Sequence, residues 1–225
     1  NGNTYGPYTA DLNQNNKRWC AQVIDPLDNG NYTAFAIGKN QNDNTSNAQD
    51  DIRVHVLNPL YVALNNEFID DFELWDAELD KDTLTFRFKS PQMMFKNGSS
   101  VLRTNYEEVL NDFYPRYVDI LINYKSQIVD VSVEGHTSSI YSLAKNETER
   151  FDYNMELSNK RANSVVDYIS TLSKDTIQQN KSWINEIFKP VGKSYLELVR
   201  NSDGSEKESL SRRVEFRIKT IPNEM

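Results

Sequence analysis

Two neighbouring stretches decide the reading of this chain: Val133-Glu-Gly-His-Thr-Ser138, and Tyr153-Asn-Met-Glu-Leu-Ser-Asn-Lys-Arg-Ala162. The first reads as the end of a buried strand, Gln127 to Val133, running into a polar turn. Its β-branched residues Ile128, Val129, Val131 and Val133 suit a pleated, packed surface. Gly135 permits close backbone approach, and Thr137 and Ser138 offer hydroxyls. The second reads as a helix from about Ser158 to Leu172, with Ala162, Val165, Val166 and Ile169 on one face. With Ser158 as N-cap, Lys160 and Arg161 fall in the first turn, at the positive end of the helix dipole, which is unfavourable by about 0.3–1 kcal/mol. An anion held between Arg161 and free backbone N–H groups would reverse that cost, and a guanidinium fork suits a carboxylate. The alternative is that Arg161 pairs with a nearby acid, Asp152 or Glu156.

Working outward, Thr83 to Phe88 alternates as a strand, and Pro91 to Ser100 is a loop containing Asn97-Gly98. A helix follows from Thr104, with Thr104 and Glu107 spaced as a capping box and Pro115 placed to kink it. Downstream, Thr176 to Phe188 is helical, Phe188–Val191 or Tyr195–Val199 is a strand, Asn201 to Ser209 is an acidic loop, and Arg213 to Ile218 is the last strand. Strands alternating with helices predict an α/β (α+β) sandwich, with helices packed on a small mixed sheet in the order βαβαββ. This domain spans residues 83–220.

Residues 1–82 read as a small N-terminal subdomain of unknown role. Residues 1–18 form an Asn- and Gly-rich arm. Trp19 to Val23 and Tyr32 to Ile37 are strands, joined as a hairpin through Asp28-Asn29-Gly30-Asn31. Lys39 to Asp51 is loop, Ile52 to Leu57 a strand and Pro59 to Leu79 a helix. The boundary falls near Asp80–Asp82.

Composition narrows the function. The chain has 225 residues and a net charge of −8, which argues against nucleic acid and anionic lipid as partners. One Cys and two His provide neither an intrachain disulfide nor an ordinary zinc ligand set. No cofactor motif is present, and no constellation of nucleophile and base points to an enzyme. No export signal or long apolar run is seen, so the chain reads as a soluble piece of a longer protein whose membrane segment is missing.

Four runs, in order, carry a family resemblance: Phe95-x-Asn-Gly-Ser-Ser-Val-Leu102, Val133-Glu-Gly-His-Thr137, Tyr153-Asn154-x-x-Leu157-Ser158-x-x-Arg161-Ala162, and Arg212-Arg213-Val214-Glu215. Together they resemble the OmpA-like C-terminal domain of the OmpA, Pal and MotB type. The resemblance implies non-covalent binding of the diaminopimelate-containing stem peptide of peptidoglycan. Arg161 would contact the ligand carboxylate, while Thr137, Ser138, Tyr153, Asn154 and Leu157 shape the pocket. It also implies a homodimer in the periplasm or cell envelope, anchoring an inner- or outer-membrane protein to the wall. Parents of this kind include envelope tethers, ion-driven stators and stator-like proteins of phage-defence systems.

One departure stands out. The family places Asp after the Thr, to take the ligand's ammonium group, and this chain has Ser138. The segment Ser139 to Asp152 is longer by roughly eight residues, and Glu147, Glu149 or Asp152 within it are candidate replacements. The alternative reading is a protein-interaction or dimerisation module of an envelope complex whose peptidoglycan pocket has degenerated.

Overall fold

The computed structural model describes residues 10–13, 18–21, 30–39, 45–54, 58–90 and 94–221. The chain divides into two compact units, Asn1–Leu57 and Asn58–Met225. In the first, β1 (Ala10–Asn13) pairs antiparallel with β2 (Arg18–Ala21), and β3 (Gly30–Lys39) with β4 (Thr45–Val54). The hairpin expected through Asp28–Asn31 is therefore replaced. The strands at Trp19 and Tyr32 belong to different pairs, and Gly30 and Asn31 already lie in β3. Asp28 and Asn29 fall outside the described residues. Part of the expected arm is β1, and part of the expected 39–51 loop is β4. A ten-residue ladder outweighs a local turn preference, because register is set by the whole pairing.

The second unit starts with α1 (Pro59–Phe68). Proline suits a first-turn position, and the Asn58 side chain accepts the Leu60 N–H at 2.9 Å. Leu60, Leu64 and Phe68, four residues apart, are fully buried. The helix ends eleven residues before the expected Leu79. Asp76 has a positive φ of 45°, and Ala77–Asp80 forms β5. β5 turns into β6 (Thr85–Phe88) through Asp80, whose Oδ1 accepts N–H groups of Asp82 and Thr83 at 2.9 Å. The domain boundary expected at residues 80–82 is thus a hairpin turn inside the unit, because α1 and β5 share its core.

Next come α2 (Thr104–Asn123), a short 3₁₀ turn (Lys125–Gln127), β7 (Ile128–Gly135) and α3 (Glu147–Ser170). The short helices α4 (Asp175–Gln179) and α5 (Lys181–Ile187) lead into β8 (Phe188–Gly192). After α6 (Glu208–Ser211) the chain ends in β9 (Val214–Thr220). Of the two strand positions weighed near residue 190, Phe188 is the one that joins the sheet, and Tyr195–Val199 does not. Thr104 is the first helical residue of α2 rather than its cap, and Arg103 precedes it without a side-chain capping bond, so the expected capping box does not form. The helix continues through Pro115, its face carrying eight buried residues from Tyr106 to Leu121. That packing offsets the missing N–H.

The sheet order is β5-β6-β9-β7-β8, with β7 and β8 parallel and the other pairs antiparallel. It is the expected mixed sheet with helices, extended by one strand. An aromatic cluster fills the core. Phe113 of α2 lies 4.6 Å from Phe86, 5.1 Å from Phe88 and 5.2 Å from both Phe68 and Phe216, measured between ring centroids. Each such side chain contributes about 1.5–3 kcal/mol by leaving water.

Two glycines set α3 against the strand ends. A Cβ at Gly135 would sit 2.3 Å from the Ser158 carbonyl oxygen, and one at Gly192 would sit 2.5 Å from the Asn159 side chain. The Gly192 N–H donates to Asn159 Oδ1 at 2.8 Å. The helix backbone therefore rests directly on the ends of β7 and β8, and this contact places Arg161.

Candidate functional site: a cationic cavity beyond the end of β7

The helix that carries Arg161 starts at Glu147, eleven residues earlier than expected. Asn146 is its cap, accepting the Glu149 N–H at 2.8 Å. Ser158 is interior. Its hydroxyl donates to the Met155 carbonyl at 2.9 Å and accepts the Ser194 N–H at 3.0 Å. Arg161 consequently lies in the middle of α3 rather than in its first turn, and the dipole argument for an anion does not apply to it.

Thr137 and Ser138 from the turn after β7, and Asn154, Leu157 and Arg161 from α3, line one cavity of about 380 Å³. Asn97 and Gly98 close one side, and residues 140–143 another. Glu208 and Arg212, from α6 and the residue after it, complete the lining. Five of the six residues singled out from sequence therefore meet. Tyr153 is the exception. It is 41% exposed and stacks on Tyr141, which itself lines the cavity, at 4.8 Å.

The candidate replacement acids lie elsewhere. Glu147 accepts the Tyr195 hydroxyl at 2.5 Å and pairs with Arg150 at 3.2 Å. Glu149 accepts the Lys145 N–H at 2.9 Å, and Asp152 is exposed on α3. None of the three lines the cavity, whereas Glu208 does. Glu206 holds the loop beside Ser138, accepting the Ser139 N–H at 3.1 Å and its hydroxyl at 2.5 Å.

Arg161 is 5% exposed. Its Nε donates to the Ser99 carbonyl at 3.0 Å, and its guanidinium lies 5.0 Å from the centre of the Phe95 ring. Among the described residues no carboxylate comes within ion-pair distance. Glu156, one of the partners considered for it, binds Lys160 at 2.5 Å instead. Burial, and then the nearby Arg212 charge, pull its pKa down to about 10, so it remains a cation at neutral pH. Thr137 Oγ1 is buried without a hydrogen-bond partner. Arg212 pairs with Glu208 at 3.5 Å, both half-exposed. The cavity thus holds two guanidiniums against one carboxylate.

Next to it, on β7 and β9, lies a second charged group of opposite character. His136, 1% exposed, has Nε2 3.5 Å from carboxylate oxygens of both Glu134 and Glu215. Glu215 also accepts Arg87 at 2.5 Å and Arg213 at 2.6 Å. Lys193 reaches Glu134 at 3.4 Å and Glu197 at 3.3 Å, and Arg217 reaches Glu197 at 3.3 Å. Glu134, His136, Glu197 and Glu215 are close enough to surround a metal ion. Four cations already neutralise these carboxylates, and the arrangement is a charge lattice tying the strands. Burial alone would raise the Glu215 carboxyl. The His136 ring and the Arg213 guanidinium hold it well below the usual range instead.

Sequence reasoning missed Glu208 and Arg212 as cavity residues. Arg212 stood in the quoted run Arg212-Arg213-Val214-Glu215, in which Arg212 faces the cavity while Arg213 and Glu215 enter the lattice.

A model of the OmpA family matches residues 94–186, and the chain belongs to that family. Within it, the chain is similar to the Zorya protein ZorB of Escherichia coli, with 38% identity over 161 residues, 72% of this chain and 68% of ZorB. Among solved structures, it is similar to the cell wall anchor of the T6SS from Pseudomonas aeruginosa (19% identity, 70% of this chain and 97% of that one, TM-score 0.47). A putative MotB-like protein from Desulfovibrio vulgaris is comparable (19%, 72% and 93%, TM-score 0.46). Family membership rests on the sequence matches, not on these structural likenesses.

Proposed function

We propose that the Arg161 cavity binds the stem peptide of peptidoglycan non-covalently, through its diaminopimelate, and that the domain anchors a membrane or envelope protein to the cell wall. The observation that carries this reading is a nearly buried guanidinium, lining a cavity, with no carboxylate of the described residues to neutralise it. Such a charge is costly to bury unless a ligand completes it. A carboxylate on that ligand matches the guanidinium fork. In this reading the domain is a periplasmic binding module, not an enzyme, acting as a homodimer. Its parent is stator-like, with a membrane segment outside this chain. Among the described residues no helix is long and apolar enough to cross a membrane.

Co-sedimentation with purified diaminopimelate-type sacculi tests it. The wild-type chain pellets with sacculi, and Arg161→Ala weakens binding about 10- to 100-fold, as expected for a lost charge-assisted hydrogen bond. A folded wild-type chain that stays in the supernatant contradicts the reading. Ser138, standing where the family has Asp, favours a second reading, an interaction or dimerisation module with a degenerate pocket. A stable dimer by sedimentation equilibrium, with no sacculus binding, would establish that one.

A further inference from the structure

We infer that Glu208 supplies the anion that Ser138 lacks, so that the cavity is built for a zwitterionic amino-acid end whose carboxylate lies between Arg161 and Arg212. This inference rests on the peptidoglycan reading above and names how that ligand is held.

Arg161 and Arg212 are close enough for one to lower the other's pKa, and both line the cavity. Arg212 has Glu208 as a partner at 3.5 Å, one helical turn away, and Arg161 has no acidic partner among the described residues. A ligand offering only a carboxylate would satisfy Arg161 but meet repulsion from Glu208. A ligand offering only an amine would satisfy Glu208 but meet two guanidiniums. A group bearing both charges on one carbon satisfies all three side chains, its carboxylate taking the two arginines and its ammonium taking Glu208. The free end of diaminopimelate is such a group, and the end of a lysine stem, which has the amine without the carboxylate, is not.

The other nearby acids are already committed. Glu206 is bound to Ser139, Glu147 to Tyr195 and Arg150, and Glu149 to the start of α3. Glu208 is the cavity acid that a ligand can recruit by exchanging one half-exposed ion pair for another. Such a pair is cheap to open. The acid has moved from the turn after β7 to α6, which lines the same cavity. The Ser138 hydroxyl remains as a neutral hydrogen-bonding group.

The test is titration calorimetry with three defined muropeptides: a diaminopimelate tripeptide, the same peptide with its terminal amine acetylated, and a lysine-type tripeptide. The wild-type chain is expected to prefer the free-amine diaminopimelate peptide about 10-fold over the acetylated one, a charge-assisted contact discounted for exposure. It binds the lysine peptide more weakly still. Glu208→Gln should erase the preference between free and acetylated amine and leave the acetylated peptide's affinity unchanged. Asp152→Asn, outside the cavity, should keep the preference. Because Glu208 is half-exposed, the Gln variant is expected to fold, which circular dichroism checks. If wild type binds and Glu208→Gln still discriminates the acetylated amine, the inference is overturned while the peptidoglycan reading stands. The same holds if wild type binds both peptides equally. If wild type binds none of the three, the peptidoglycan reading itself fails, and this inference with it.

Discussion

Arg161 and Arg213 are equally buried, each 5% exposed. Arg213 has its counter-charge within the fold. Its Nε meets Glu215 at 2.6 Å, and its Nη1 donates to the Glu197 and Ser211 carbonyls at 3.1 and 3.2 Å. Arg161 has one carbonyl, one aromatic ring and a cavity. The contrast separates two uses of a buried charge. Where the fold supplies the counter-charge, the arginine holds strands together. Where it does not, the proposed function has the arginine kept at some cost to stability for a ligand that arrives from outside.

The largest predicted effect is on the lattice side. Glu215→Gln leaves Arg213, Arg87 and His136 without their shared carboxylate, and urea unfolding should show a loss of about 3–5 kcal/mol. The pH dependence follows from the same groups. Glu215 and Glu134 are both held below their ordinary value of 4.5. Depressed carboxylates contribute stability that is present above 4.5 and lost as the pH falls toward their folded-state values. Wild type should therefore lose stability progressively below that pH, and Glu215→Gln should show a shallower slope. Equal slopes would mean that the lattice is not what acid dismantles.

Gly135→Ala sharpens the comparison from the other direction. Its Cβ would push against the Ser158 carbonyl and lift the helix bearing Arg161. Overpacking of this kind costs about 1–3 kcal/mol, and muropeptide affinity should fall with it. A smaller effect is expected from Asn146→Ala, which removes the α3 cap outside the cavity lining. It should lower stability by about 1 kcal/mol in thermal unfolding and leave ligand affinity unchanged.

How much of this was legible in the sequence depends on how local each cause is. β7 was visible because its β-branched run has no competing signal, and α2 because its apolar spacing is regular. The start of α3 was misread because Ser158 has the chemistry of a cap. The true cap, Asn146 with Glu149 three residues on, lay in a segment that reads from sequence as a lengthened loop. That error moved Arg161 from a helix end to a helix middle and changed the physical reason for its role. β5 was hidden within a helical pattern broken at Asp76. Glu208 could not be placed at all. Only the tertiary fold brings it to the cavity, where Glu206, two residues earlier, holds Ser139, and no spacing along the chain encodes that.

The most direct measurement pairs Arg161→Met with Arg213→Met and records unfolding free energy and muropeptide affinity for both. The account predicts that Arg161→Met keeps its stability within about 1 kcal/mol of wild type, or exceeds it, while losing binding. Arg213→Met should be destabilised by about 3 kcal/mol or more, from the uncompensated Glu215. Equal destabilisation by the two substitutions, or full muropeptide binding by Arg161→Met, would contradict it.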